Sequence, residues 1–282
     1  MMARRAPRRL ASRAALYLVL LLVVVFILGP FLVMVLYSTK TQLDVLDVPP
    51  SLSLDWNTIR DNYSNVIVGK SFGAFSLNSI VVTFGSTLLA LALGTPAAYA
   101  FSRFRFRGRN GLASWILSMR FMPPIAIAIP IYLLMNTLHL LDTYAGLIIP
   151  YAGFSVPLVV WLMIGFFDEI PTELDDGAML DGCSRLQTLV RIILPLTAPG
   201  LAATAIFSVI FTWNEFLVGL FIVSTQASET IPVGAAGLIS AERPIQWNVA
   251  ATVGVVTVIP VLVFAFFVQK YITRGFTAGA VK

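Results

Sequence analysis

The sequence predicts an all-α integral membrane protein with six transmembrane helices and one cytoplasmic helix-turn-helix. Three observations carry that fold class. First, of 282 residues 58% are hydrophobic and only 12% charged, with a mean hydropathy of +0.87; soluble domains carry about a quarter charged residues. Second, six runs reach the roughly 20 apolar residues that cross about 30 Å of hydrocarbon: 14–37, 77–101, 112–134, 144–167, 201–223 and 249–267. Third, the apolar pattern stops between Asp168 and Asp181, where six carboxylates gather, and a short amphipathic stretch follows.

Taken in order, residues 1–13 form a tail with Arg4, Arg5, Arg8, Arg9 and Arg13 before the first span, 14–37. That span is too long for a signal peptide, and "LYSTKTQ" after it offers no small-residue cleavage site, so it reads as an uncleaved anchor. Residues 38–76 make the longest outer loop; Pro49, Pro50 and scattered serines predict an irregular connection, not a second domain. The core, 77–269, contains the other five spans and the acidic interruption at 168–200. Pro123, Pro124, Pro130, Pro150 and Pro157 predict kinks in the third and fourth spans, which neighbouring helices can tolerate. Residues 270–282 form the second tail.

Basic residues orient the chain. Arg103, Arg105, Arg107 and Arg109 follow the second span, Arg185 and Arg191 lie between the fourth and fifth, and Lys270, Arg274 and Lys282 follow the sixth. The other side holds only Lys40, Arg60, Lys70 and Arg243. Lysine and arginine excess marks the cytoplasmic side, so both termini and the acidic stretch are predicted to be cytoplasmic. This distribution accounts for the net charge of +5 without a nucleic-acid partner. A lone Cys183 excludes an internal disulfide and a cysteine metal cluster, and a lone His139 argues against a histidine site. The halves show no repeat of the kind common in secondary transporters.

The interruption reads as a handle. Pro171 suits a first helical turn, where its missing N–H costs nothing. Glu173, Asp175 and Asp176 then sit at the positive end of the helix dipole. Leu174, Gly177 and Ala178 share a face by helical spacing, and two of them are small enough for another backbone to come close. Asp181-Gly182 is a turn signal. Ser184 and Gln187 have capping-box spacing, Leu186, Leu189, Val190 and Ile193 continue a helical stripe, and Pro195 ends it.

This stretch resembles the EAA loop of permease subunits of bacterial ABC importers, of the maltose-transporter type. That motif places a Glu-Ala-Ala triplet, a glycine four residues after its last alanine, and Ile-x-Leu-Pro after a further helix. Here stand Asp176-Gly177-Ala178, Gly182 and Ile192-Ile193-Leu194-Pro195, with Asp for Glu and Gly for Ala as departures. Asp181-Gly182, "TWNEFLVGL" (212–220) and the tail "FVQKYITRGFTAGAVK" (267–282) are similar to the same subfamily. The resemblance implies a type I importer permease in the bacterial cytoplasmic (inner) membrane. Asp176, Gly177, Ala178, Asp181, Gly182, Leu194 and Pro195 would form the loop that seats in a cleft of a cytoplasmic ATPase. The implied partners are a second related permease, two copies of the ATPase, an extracytoplasmic solute-binding protein and the lipid bilayer. ATP-Mg would sit on the ATPase, with no cofactor in this chain. "GKS" at 69–71 lacks the upstream glycine of a phosphate-binding loop, since Ser64 stands there.

Two charges fall inside spans. Arg120 costs roughly 2.5–3.5 kcal/mol at a bilayer centre, so it should face protein or a cavity, with an acid or carbonyl as partner and a structural or gating role. Glu215 follows Phe211, Trp213 and Asn214; these four either line a solute path, as aromatic and hydrogen-bonding groups suit a sugar, or pack against a partner with Glu215 paired. In the outer loop 224–248, an apolar centre with Gly234 and Gly237 marks a contact, and the resemblance implies that the partner there is the binding protein. The function expected is sugar or oligosaccharide import by alternating access. One alternative is import of a polyol or glycerol phosphate. Another, a secondary transporter or channel, would need no coupling loop.

Overall fold

The computed structural model describes residues 5–47, 51–238 and 244–278, with side chains for 16–47, 51–238 and 244–266. Arg4, Arg243 and Lys282, the side chains of the other N-terminal arginines, of Lys270 and Arg274, and of the tail motif 267–282 lie outside the described residues. The helices are α1 (Arg5–Ser38), α2 (Gln42–Leu46), α3 (Trp56–Ser64), α4 (Phe72–Arg103), α5 (Arg109–Ser118), α6 (Pro124–Thr137), α7 (Tyr144–Asp168), α8 (Glu173–Leu180), α9 (Arg185–Thr188), α10 (Leu194–Leu196), α11 (Ala198–Trp213), α12 (Leu217–Ile222), α13 (Ile231–Ala236) and α14 (Trp247–Ala278). They divide into two compact units, residues 1–70 with 238–259 and residues 71–237 with 260–282.

In the first unit, α1 exposes apolar side chains on all sides from Leu16 to Val35, as a span covered by lipid does. The loop after it is more regular than its composition predicts. Thr41 and Asp44 form a capping box that starts α2. Asp55 starts α3 by accepting from the Asn57 and Thr58 amides. Side-chain hydrogen bonds from Thr41 and Thr58 hold the Asp44 and Asp55 carboxyls below their ordinary range. The caps, which the proline and serine content masks, are what make these residues helical. Buried Asn62 then ties the unit together. Its amide donates to the Ser38 and Lys40 carbonyls (3.0 and 2.8 Å) and its oxygen accepts from Asn248 (3.1 Å).

In the second unit, α4 packs along α7, with α11 against both. The core joins Ala90, Ala98 and Tyr99 of α4 to Ala152, Val159, Met163 and Phe167 of α7 and to Leu189 and Ile193 of the handle. Small residues set the approach: a methyl on Gly94 would meet Val159 at 2.7 Å, and one on Gly200 would meet the Phe166 ring at 2.3 Å. This is how helices pack where lipid supplies no hydrophobic drive between them.

Among the described residues four helices are long and apolar enough to cross a membrane, at Leu16–Ser38, Phe72–Arg103, Tyr144–Asp168 and Trp247–Phe266. The two other expected spans are not continuous. The third is broken by 95° between Phe121 and Pro124, because Pro124 opens α6 as its first residue and consecutive prolines cannot continue α5. The fifth, expected at 201–223, is α11 ending at Trp213 and α12 beginning at Leu217. The Asn214 side chain takes the Ile210 carbonyl at 2.7 Å where the ladder ends. By contrast α7 runs unbroken through Pro150 and Pro157.

One stability prediction arises here. A methyl on Gly146, in the first turn of α7, would sit 2.0 Å from the Leu140 carbonyl oxygen, a backbone atom that cannot swing aside. Overpacking of this kind costs about 1–3 kcal/mol or more. Gly146→Ala should lower the melting temperature of the detergent-solubilised protein by several degrees, whereas Gly153→Ala, with nothing within 4 Å, should not. Equal melting temperatures for the two variants would refute this.

Candidate functional site

The handle folds by local rules. α8 closes on Gly182 in the left-handed conformation (φ +86°), with the Gly182 amide donating to Met179 O (3.1 Å) and the Cys183 amide to Ala178 O (3.0 Å). That pair of bonds is a Schellman motif, which satisfies carbonyls a helix end leaves open. Ser184 and Gln187 form the expected capping box, and the chain continues through α9 and a π-helical turn (Leu189–Ile193) to α10, ending at Thr197.

The single face expected for Leu174, Gly177 and Ala178 is divided. Ala178 is 4% exposed and turned into the protein, beside buried Asp175. Leu174 is exposed, and a methyl on Gly177 would meet nothing. The outward face of α8 is Glu173, Asp176, Gly177, Leu180 and Asp181, with Leu180 89% exposed at the tip and Leu186 exposed on α9. Leu194 packs on the core and Pro195 is exposed in α10. Ala178 and Leu194 therefore seat the handle, while Asp176, Gly177, Asp181, Gly182 and Pro195 face outward.

What seats it was not read from the sequence. Asp175 accepts from Tyr99 Oη (2.5 Å) and from Arg103 Nε (2.9 Å), both on α4, and the two ionised side chains are 5% exposed. Arg103 Nη2 also donates to Ile170 O (2.9 Å), and Ser102 donates to Asp168 (2.5 Å). Two acids of the cluster are thus committed to α4. Arg103 carried a signal for orientation alone.

A second feature lies within the same unit. Met119, Arg120, Met122 and Pro124 at the α5–α6 break, Tyr151, Phe154 and Ser155 of α7, and Phe211, Thr212 and Glu215 at the end of α11 line a cavity of ≈ 290 Å³. Irregular backbone at membrane depth is tolerated where it lines such a space. Arg120 stacks on Phe211, its Cζ 4.0 Å from the ring centroid, and donates from Nη1 to Phe154 O at 3.1 Å, a carbonyl partner on another span. No carboxylate pairs with it; among the described residues Arg103–Asp175 is the one ion pair. Glu215 accepts from the Val218 and Gly219 amides (3.0 and 3.3 Å) and so caps α12. Of the four residues expected on a path, Phe211 and Glu215 reach the cavity. Trp213 is buried in packing and Asn214 is spent on its own helix. Tyr151, Ser155 and Thr212 are additions.

At the other end of α4, the segment after α12 is strapped down. Asn78 donates to Ala227 O and Glu229 O (2.9 and 2.8 Å), and the Ile231 amide donates to Ser79 Oγ (2.8 Å). Asp142 accepts from the Ser224 and Thr225 amides (2.7 and 2.9 Å). Burial raises the Glu229 carboxyl above its ordinary range. The expected contact glycines differ. Gly234 is buried in α13, where a methyl would meet the Phe75 ring at 2.5 Å, so it serves packing; Gly237 is exposed. Part of this loop, 239–243, lies outside the described residues.

The handle, the broken spans and the cavity between them together describe a helical membrane protein whose spans are interrupted around a polar-lined space. Residues 90–278 match the family described as binding-protein-dependent transport system inner membrane component. The chain is 37% identical to a probable ABC transporter permease, y4oR, of Sinorhizobium fredii over 90% of each chain. It is 36% identical to the trehalose transport system permease SugB of Mycobacterium tuberculosis over 96% of this chain and 99% of that one. Its fold matches a bacterial ABC transporter that imports the acidic polysaccharide alginate, with a TM-score of 0.76, 24% identity and coverage of 96% and 99%. The chain belongs to the binding-protein-dependent transport permease family: it is the membrane-spanning permease subunit of an ABC importer, with ATP hydrolysis on a separate subunit.

Proposed function

We propose that this permease imports a carbohydrate, passing it through the Arg120–Phe211–Glu215 cavity while the handle takes its drive from a cytoplasmic ATPase. The observation that carries the coupling part is the exposed Leu180 at the tip of a handle held rigidly from behind. With Leu174 and Leu186 exposed on the same handle, it belongs to a group of open apolar side chains of the kind that suits a contact with a partner. In this reading the partners are a second permease, two ATPase copies that carry ATP-Mg, and an extracytoplasmic solute-binding protein. Both termini are cytoplasmic, and the loop after α12 faces the binding protein through Gly237. Movement between inward-open and outward-open states proceeds by repacking of helices.

The cavity suits a neutral polyhydroxy solute. Its lining combines aromatic Phe211 and Tyr151, the hydroxyl residues Ser155 and Thr212, and one cation and one anion, Arg120 and Glu215. A glycerol phosphate would meet one cation and one anion, a poor match for its charge. The SugB likeness, to a trehalose permease, points the same way.

The test uses vesicles containing the complete transporter. Uptake of labelled disaccharides, a polyol and glycerol phosphate is compared in the parent and in Phe211→Ala, which removes the ring under Arg120. Losing an aromatic contact of this sort costs roughly 0.5–2 kcal/mol, so disaccharide uptake at low concentration should fall several-fold. Uptake of glycerol phosphate alone would overturn the carbohydrate assignment. Leu180→Asp should release the ATPase from the purified complex, and its retention would overturn the coupling assignment.

A further inference from the structure

One helix touches both ends of the machine. At the handle, Tyr99 and Arg103 hold Asp175, and Ser102 holds Asp168. At the far end of the same helix, Asn78 and Ser79 hold the segment 227–231 through three hydrogen bonds to its backbone. At 1.5 Å rise per residue, the stretch of α4 from Asn78 to Tyr99 is about 32 Å long, the thickness of the hydrocarbon layer. Between these anchors it is an uninterrupted helix packed on α7.

We propose that α4 is the rod that transmits the coupling stroke across the membrane, with Tyr99, Arg103 and Asp175 as the positioning residues at its driven end and Asn78 and Ser79 at its delivering end. The inference rests on the coupling-loop reading and adds what the handle pulls. A handle joined to the bundle by α7 and α11 alone would move those two helices. The buried ion pair adds a third, lateral attachment. A charge-assisted bond in a site screened from water is stiff and directional, which a lipid-like packing contact is not. Displacing α8 therefore displaces the end of α4. Because the far end of α4 holds backbone atoms of segment 227–231, that segment must follow or lose the hydrogen bonds that satisfy it.

The design allows a test without knowing the solute. Gln226, exposed beside the anchored segment, is replaced by cysteine in a Cys183→Ser background and labelled with a nitroxide, in the complete transporter with its ATPase. ATP with vanadate then traps the closed ATPase. The spin-label spectrum of the parent is expected to change on trapping. The clamp is cut with Arg103→Met/Asp175→Leu, which removes both charges so that neither is stranded in a buried site. Tyr99→Phe provides a milder cut that keeps the packing. In the double variant, ATPase subunits and vanadate-sensitive hydrolysis should remain while the spectral change at position 226 is lost; Tyr99→Phe should reduce it. Asn78→Ala, at the other end, should lose the change as well. Adding it to the double variant should produce no further effect, the mark of two breaks in one chain of contacts. A change that persists in the double variant, or none in the parent, overturns the proposal, as does loss of the ATPase, which would make the clamp a seat for the handle and nothing more. These outcomes are distinct from failure of the coupling reading, which Leu180→Asp decides by itself.

Discussion

Gly182→Val is expected to abolish solute uptake while the permease still inserts into the membrane. Gly182 holds φ +86° at the turn between α8 and α9, and nothing lies within 4 Å of where a side chain would start. Any effect therefore comes from the backbone and not from collision. The left-handed region costs an ordinary L residue roughly 1–2 kcal/mol, and branching at Cβ adds to it. A penalty near 2 kcal/mol changes a local population about 30-fold. The turn would relax, the Schellman bonds of Gly182 and Cys183 would be lost, and Leu180 at the tip would point elsewhere. Gly182→Asn is the control, because asparagine enters this region readily. The expected order of ATP-driven uptake is parent, then Asn slightly lower, then Val at background, with similar membrane content for all three. Equal uptake by Val and Asn would show that this turn does not carry the drive.

That turn was legible because every signal in it is local. The Asp181-Gly182 pair and the Ser184–Gln187 spacing specify their hydrogen bonds within a few residues of themselves, and each bond is present, whereas Pro171, expected in the first turn, stands one residue before the Thr172 N-cap of α8. Asp175 was not legible, for the converse reason. Read locally it is one of three acids favouring a helix N-terminus; in the structure it is the member that turns inward. Its partners Tyr99 and Arg103 stand 76 and 72 positions away, and nothing in a single sequence pairs them. Ala178 was misplaced by the same omission. Helical spacing says which residues share a face, but the face that packs is decided by the ion pair beside it.

Breaks in spans divide along similar lines. The sequence marked Pro123 and Pro124 as a weak point, and the 95° bend stands there. The interruption after Trp213 had no proline to announce it. It is made by Asn214 and Glu215, polar side chains that replace backbone partners, the first on the Ile210 carbonyl and the second on the amides of α12. Asn214 is turned to its own helix, whereas Glu215 both caps α12 and lines the cavity, so the solute-path reading and the structural reading of Glu215 stand side by side.

Glu215 is where that distinction has the largest measurable consequence inside the membrane. Its two oxygens satisfy the Val218 and Gly219 amides at the start of α12, and both residues are buried. A buried donor left without a partner costs about 1–3 kcal/mol. Glu215→Leu strands both amides, while Glu215→Gln keeps one acceptor oxygen and loses the charge that favours a helix N-terminus. The melting temperature of the purified complex should fall for Gln and fall further for Leu. If the carboxylate's main service is this cap, the loss is the same whichever solute is offered, and the relative uptake of different sugars stays as in the parent. Phe211→Ala, one turn earlier on the lining of the same cavity, supplies the contrast: it strands no backbone donor, so beyond the loss of its contact with Arg120 it should change apparent affinity to different extents for different sugars. Arg120 is not paired with Glu215, so removing the glutamate charge leaves the guanidinium on Phe154 O and Phe211 as before. A Glu215→Gln complex of parental stability with a changed order of sugar preference would reverse the assignment and place the carboxylate on the solute.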